Sequence, residues 1–538
     1  MRLYAELKRR KVFQTAMIYA ASAWLLLQVA QFLLQMFEVP AWGLKLVFVV
    51  LLVGFPLALI LSWMHQITPQ GLRRELDCPA PGPVAADNSI AVLPFANLSD
   101  DPANMHFADG LSEELLNLLA RIPGLRVIAR TSSFAFRGRA VSAAEIAREL
   151  GVAHLLEGSV RKSANRIRVT AQLIRAADSS HAWSQTFDRD LSDIFAVQDE
   201  IAAAVVVELE IKLLGRAAPK ARKTDPEAYA HYFRGRHFLD LASQTGYAQA
   251  ITELEAALAI DPRFAPAWAS LGALYWGEAN NSLIDYAEGA RRSRACSEKA
   301  LALDPELAEP LSLLGYLDVI EAIDVDGGQR RMERARQLEP NNPRILTRLA
   351  HIAVRGGRMD DALLHSQQAL QADPLSGLAH AAYSNVCYYA GRLDEAEVAR
   401  RKLLALSPNW LSGHFNLAKV LLARNDAAAA LAEVQHEQSA FWRLTGLALV
   451  HHAMGQQAQS DDALRELMDM HAGGEAYQLA QVHAFRGRND TAFEWLERAA
   501  AAHDSGLTFA RVDPLLRNLH ADPRWSRFLR RNGLAVAS

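Results

Sequence analysis

Cysteine is scarce: three residues in 538, Cys78, Cys296 and Cys387, lie far apart and in no CxxC or related ligand spacing. That excludes a disulfide framework and a metal knuckle, and it suits a reducing compartment. An excess of charge is missing too, since 57 Lys and Arg meet 60 Asp and Glu for a net charge of -3. No global pull toward nucleic acid or acidic substrates follows, so an electrostatic partner must be recognised locally. Gly and Pro, 30 and 21 residues, are too few for a fibrous chain, and 51% hydrophobic with 22% charged residues is too apolar for disorder throughout. The common catalytic templates are absent as well: no GxxxxGK[ST] loop, no GxGxxG after a strand, no GxSxG elbow, no HExxH. His451 and His452 are neighbours, so they point to different helix faces and cannot share a metal. The chain reads as non-enzymatic, with no cofactor and no metal expected.

What is present begins with two charge-free runs, Val12 to Met36 and Leu46 to Met64, joined by a short turn. The first makes a helix of roughly 37 Å, enough to cross a ~30 Å hydrocarbon layer. Arg2, Lys8, Arg9, Arg10 and Lys11 precede it, and Arg73 and Arg74 follow the second run. The expectation is a transmembrane hairpin at 1–65, spans at about 12–36 and 46–64, in a bacterial inner membrane with both ends on the cytoplasmic side. Gln28, Gln31 and Gln35 share one helix face and suit helix pairing, within the hairpin or in a homo-oligomer. A Pro- and Gly-rich linker is expected at 66–88, including Cys78-Pro79-Ala80-Pro81-Gly82-Pro83.

The next segment alternates period-2 and period-3.6 patterns. A buried strand at Ser89 to Phe95 leads to a helical pattern at Phe107 to Arg121, then a strand at Leu125 to Ala129 and a helix at Ser142 to Leu150. Three strands follow at Ala153 to Lys162, Arg166 to Arg175 and His181 to Asp188, then a helix from about Asp193 to Leu214. The turn Ser163-Ala164-Asn165 makes the middle pair an antiparallel hairpin. This gives a small α/β domain at 89–215. Its stretches Ile90-Ala91-Val92-Leu93-Pro94-Phe95, Phe107-Ala108-Asp109-Gly110-Leu111-Ser112, Ala129-Arg130-Thr131-Ser132-Ser133-Phe134, Leu156-Glu157-Gly158-Ser159-Val160-Arg161 and Gln198-Asp199-Glu200-Ile201 resemble the TolB-like (FlgO-type) amino-terminal domain. The resemblance implies a fold and an association with repeat arrays, DNA-binding heads or class III adenylate cyclase modules, not a reaction. Only 88 residues precede the domain, so neither a cyclase nor a winged helix is expected.

From Arg121 to Arg175 ten Arg and one Lys face Glu145, Glu149 and Glu157. Arginines alternating on strands are what a solvated sheet face shows, and stacking aromatics are few beyond Phe134 and Phe136. Nucleic acid is not expected. Arg130, Phe134, Phe136, Arg137, Arg161 and Arg168 are the candidate contacts for a protein or a small anion.

From Pro226 one phrase recurs: Ala257-Leu258-Ala259-Ile260-Asp261-Pro262 and its counterparts ending in Pro305, Pro340, Pro374 and Pro408. Successive prolines differ by 43, 35, 34 and 34 positions. Trp268, Leu271, Gly272 and Tyr275 fit the W-x2-L-G-x2-Y pattern of the tetratricopeptide repeat (TPR). Gly315, Ala350, Ser384 and Ala418 fill the small position where paired helices approach, and Gly357 and Gly391 sit in the turns. About eight repeats are expected at 226–512, with a basic capping segment at 513–538.

The fold class is therefore multi-domain: a transmembrane helical hairpin, a small α/β domain and an all-α TPR solenoid. The function read from it is a membrane-anchored, non-enzymatic adaptor that holds a protein or peptide in the concave TPR groove. The alternative is a signalling sensor whose α/β domain binds a small or anionic ligand.

Overall fold

The computed structural model describes residues 51, 65–68 and 71–74, and from 88 onward all but 100–103, 121, 123–124, 140, 164–165, most of 191–224, 282, 322–323, 471–475 and 535–538. Met1–Gly82 and Pro83–Ser538 form two units. In the first, β1 (His65–Thr68) and β2 (Gly71–Arg74) pair antiparallel, His65 opposite Arg74 and Thr68 opposite Gly71. A strand pair thus occupies the start of the expected linker. Ile67 and Thr68 are β-branched and favour the pleat, and the proline cluster begins only at Pro79.

The inner-membrane placement is corrected: among the described residues no helix is long and apolar enough to cross a membrane. The apolar helix Ala308–Ile320, for example, has 13 residues, about 20 Å against a ~30 Å hydrocarbon layer. The two expected spans lie outside the described residues except for Leu51, and the helix expected from Asp193 lies mostly outside them.

In the second unit β3 (Ser89–Val92) is buried along its whole length. Ile90 and Val92 enter one core with Leu111, Leu115 and Leu119 of α1 (Asn104–Ala120), while Ala91 and Leu93 enter another. A strand covered on both faces needs this unbroken apolar run. β4 (Ala96–Asn97), β5 (Arg126–Val127), α2 (Arg130–Phe134) and α3 (Ala143–Leu150) follow, and Ser142 and Glu145 close a capping box on α3. The sheet is completed by β6 (His154–Ser163), β7 (Arg166–Arg175) and β8 (His181–Asp190), in the order β5-β3-β6-β7-β8 with β4 on β6. β3 runs parallel to β5 and β6, while β6, β7 and β8 are antiparallel.

Among the described residues sixteen helices then pair in sequence. The first four pairs are α4 (Pro226–Asp240) with α5 (Gln244–Ile260), α6 (Ala265–Asn280) with α7 (Tyr286–Leu303), α8 (Ala308–Ile320) with α9 (Val325–Leu338), and α10 (Pro343–Arg355) with α11 (Met359–Ala372). The last four are α12 (Gly377–Tyr389) with α13 (Leu393–Leu406), α14 (Gly413–Ala423) with α15 (Ala427–His436), α16 (Ala440–Ala453) with α17 (Gln457–Met470), and α18 (Ala476–Phe485) with α19 (Asn489–Ala501). This is a TPR-type helical solenoid.

The sequence signals act where the repeat needs them. Gly357, Gly391, Gly455 and Gly487 turn between paired helices at φ of 72, 74, 73 and 72°, a region that disfavours residues with a Cβ. Trp268 donates from Nε1 to the Pro262 carbonyl (3.0 Å), and Leu271 is buried. A Cβ on Gly315 would stand 2.6 Å from the Gly328 carbonyl. Gly315→Val is therefore expected to cost about 2 kcal/mol or more by overpacking, read as a lower urea midpoint.

The array ends in two 3-10 segments, Ser505–Val512 and Pro514–Leu519, and α20 (Pro523–Arg531). Arg517, Arg524, Arg527, Arg530 and Arg531 are exposed there.

Candidate functional site

Among the contacts that join the α/β domain to the array, two are closely fitted. In the first, a Cβ on Gly110 of α1 would meet the Tyr229 ring at 2.6 Å and Phe233 at 2.8 Å, so only glycine lets α4 approach. The second is made by α2. Its Ser132 lies fully buried and donates to Asp373 Oδ1 from both the backbone amide (3.0 Å) and the hydroxyl (2.5 Å). The same hydroxyl accepts from the Leu375 amide (2.7 Å), and the Ala129 amide donates to the Ala372 carbonyl (2.9 Å).

Asp373 occupies the recurrent Asp of the repeat phrase. At the equivalent positions Asp261 and Asp304 accept from the amides of Arg263 and Glu306, two residues on. In the fourth repeat that carboxylate is turned to Ser132, and Leu375 inserts into the α/β core with Leu93, Ile128 and Phe136.

Charged groups surround the junction. Arg130 Nε lies 2.7 Å from Glu113 and its Nη1 3.5 Å from Asp240, which Arg344 holds from the array side at 2.5 Å. Burial opposes ionisation of Glu309, yet Arg236, Arg344 and Arg348 outweigh it and hold its carboxyl down at about 2. Burial raises Asp373 to about 6 against the hydrogen bonds from Ser132, and raises Glu113 to about 7 against Arg130 and Arg236.

A raised carboxyl binds its proton more tightly in the folded chain. Its stabilising contribution is therefore fully present below the unfolded value and lost as pH rises through the folded one. Buried His351 and His380, held near 4 by desolvation, act in the opposite sense over an overlapping range, destabilising the fold as pH falls below the free imidazole value toward 4. The difference between wild type and Asp373→Asn isolates the carboxyl. We expect wild type to gain about 1 kcal/mol on that variant between pH 8 and pH 5, measured by urea unfolding.

The inner side of the solenoid is occupied by the chain itself. Phe509, in the 3-10 segment Ser505–Val512, stacks on Tyr389 of α12 (4.9 Å, 12°) and meets His351 of α10 edge-on (5.3 Å, 83°). Ser505 donates to Asn280 of α6 (3.2 Å), and the Leu411 amide reaches the Ala242 carbonyl (3.2 Å), bringing the sixth pair against the first. The open groove expected from the repeats is thus narrowed to a cavity of about 250 Å³.

The sequence-derived candidates fall into separate places. Arg130 and Arg137 both lie over the Phe134 ring, at 4.9 and 5.5 Å, and Arg137 pairs with Asp109. Phe136 is buried in the α/β core, with Arg139 over its ring. Arg161 and Arg168 face each other across β6 and β7; Arg168 pairs with Asp188 (2.6 Å), and Arg161 donates to the Leu98 carbonyl (3.3 Å). The first group borders the docking junction and the second does not. Missed from sequence were Ser132, Asp373 and the cavity arginines Arg348 and Arg400, whose partners lie far along the chain. Among the described residues no group of His, Cys, Asp or Glu could hold a metal ion.

Residues 86–204 match the family model of the HilA/YgeH-like transcriptional regulator, second domain. "Putative adenylate cyclase 3" of Rhizobium meliloti (strain 1021) is 44% identical over 194 residues, 36% of this chain and 33% of that protein. The chain thus spans about a third of that relative's length. Among solved structures, Pseudomonas aeruginosa PilF is 17% identical with a TM-score of 0.30, over 41% of this chain and 97% of its own. Human IFIT1 with m7Gppp-AAAA is 15% identical with a TM-score of 0.38, over 58% and 78%. A tetratricopeptide repeat protein of Parabacteroides merdae ATCC 43184 is 13% identical with a TM-score of 0.31, over 51% and 99%.

Proposed function

We propose that the chain is a non-catalytic interaction scaffold of the TPR class, with domains at 89–215, 226–512 and 513–538. The TolB-like likeness of the first domain's motifs belongs to this reading. No cyclase activity is proposed, because the relative so named is matched over only a third of its length. The observation that carries the reading is the run of eight helix pairs with the α/β domain hydrogen-bonded into the turn of the fourth pair. Such stacks supply extended binding surface. With the inner side narrowed to that cavity by Phe509 and its neighbours, the partner surface is the outer one. There Leu364 and Val398, 34 positions apart on α11 and α13, are 50% and 64% exposed.

The test is affinity capture from a bacterial lysate with the purified full chain, then titration of the purified partner. Leu364→Glu with Val398→Glu is expected to weaken binding about tenfold or more. Retention of nothing beyond what an unrelated repeat array retains, or unchanged affinity in the double variant, overturns the proposal.

A further inference from the structure

We propose that the cavity enclosed by the solenoid is a binding site for a small organic anion carrying a phosphate or carboxylate group, held by Arg348 and Arg400. This inference stands apart from the scaffold reading and uses different residues.

The cavity is lined by first helices of successive pairs, with Arg344, Thr347 and Arg348 from α10 and Arg400 reaching in from α13. Arg344 is matched, by Asp240 at 2.5 Å and Glu309 at 3.6 Å. The other two arginines are not. Arg400 is 2% exposed, and its Nη2 donates only to neutral oxygens, the Asn385 side chain and the Ala381 carbonyl. Its Nε has no partner. Arg348 is 7% exposed and likewise donates to neutral oxygens, Ser312 Oγ and the Glu309 carbonyl. Among the described residues neither makes an ion pair. Glu309 acts on Arg348 and Glu437 on Arg400 only from beyond ion-pair distance, so each buried charge lacks a close counterion, a state that an arriving anion relieves.

Two further features point the same way. Thr347, 5% exposed and also on the cavity wall, leaves its Oγ1 without a partner. The carboxylates on the wall are already committed, Asp240 to Arg130 and Arg344, Asp373 to Ser132. Burial lowers both arginines to about 10, so they stay cationic near neutrality. A planar guanidinium presents paired donors that match the two oxygens of a phosphate or carboxylate. The volume of about 250 Å³ lies just below the usual range for drug-sized ligands, about 300–1,000 Å³, so the ligand is compact.

Calorimetric titration of the full chain at constant ionic strength provides the test. The probes are inorganic phosphate, glucose 6-phosphate, AMP and citrate, with glucose as the uncharged control. At least one anion is expected to bind, and the phosphates and citrate distinguish the two head groups. Arg400→Gln and Arg348→Gln should each weaken binding about tenfold or more, with Arg400→Lys recovering part of the loss. Thr347→Val, which preserves shape, should weaken it less while leaving the fold intact. Arg524→Gln, on the exposed cap, should change nothing. The proposal is overturned if no probe binds up to about 10 mM, where any useful site would raise the unfolding midpoint. It is equally overturned if Thr347→Val and the folded arginine variants all bind like wild type.

Discussion

Phe509→Ala is expected to lower the unfolding free energy by about 3 kcal/mol, the largest loss among the substitutions considered. The ring closes the inner side of the solenoid by stacking on Tyr389 and meeting His351 edge-on. Paired rings of this geometry contribute about 0.5–1.5 kcal/mol beyond the apolar area they bury. Beside it Arg511 packs against Gly357, where a Cβ would stand 2.5 Å from Nη1. The loss should therefore be local as well as global, with faster amide exchange in α10 and α12. Phe509→Leu keeps most of the apolar volume and should cost about 1 kcal/mol. Equal losses in the two variants would mean that ring contacts are not what holds the segment.

Asp373→Ala is the second large effect. It removes the acceptor of two buried donors, the Ser132 amide and hydroxyl. An unsatisfied buried donor costs about 1–3 kcal/mol, while release of a carboxyl that burial disfavours gives part of this back. The net expectation is about 2 kcal/mol. A separation of transitions should accompany it: the α/β domain, no longer tied at this turn, melts before the array. Asp373→Asn keeps the amide oxygen as acceptor and should preserve a single transition. Circular dichroism and tryptophan fluorescence followed in parallel, with Trp183 of the α/β domain replaced by Phe in every variant, would distinguish them, because the other Trp residues from Trp268 onward lie in the array and its end segment.

The array was legible because its signals are local. The proline of each phrase follows a helix C-cap at Asp261, Asp304, Glu339, Asp373 or Ser407, and the turn glycines adopt the positive φ that their positions require. The α/β pattern was legible for the same reason, from the unbroken run at Ile90 to Leu93 and the alternation of β6 and β7. The site was not. Ser132 and Asp373 are 241 positions apart, and Asp373 reads in sequence as one more turn-forming residue of its phrase. Arg348 and Arg400 occupy helix positions whose charge suggests a solvated face. Their burial follows from the winding that brings the sixth pair against the first, a consequence of many small rotations that no single repeat announces. Ser505–Val512 lacks helical periodicity, so its return to the inner side left no pattern to read.

The central claim is that the α/β domain and the array are locked together through Ser132 and Asp373. A double-mutant cycle on the full chain, with Ser132→Ala, Asp373→Ala and the combination followed by urea unfolding, tests it most directly. A coupling energy of about 1–2 kcal/mol is predicted, as for residues sharing a buried hydrogen bond. Strict additivity, within about 0.3 kcal/mol, would contradict it.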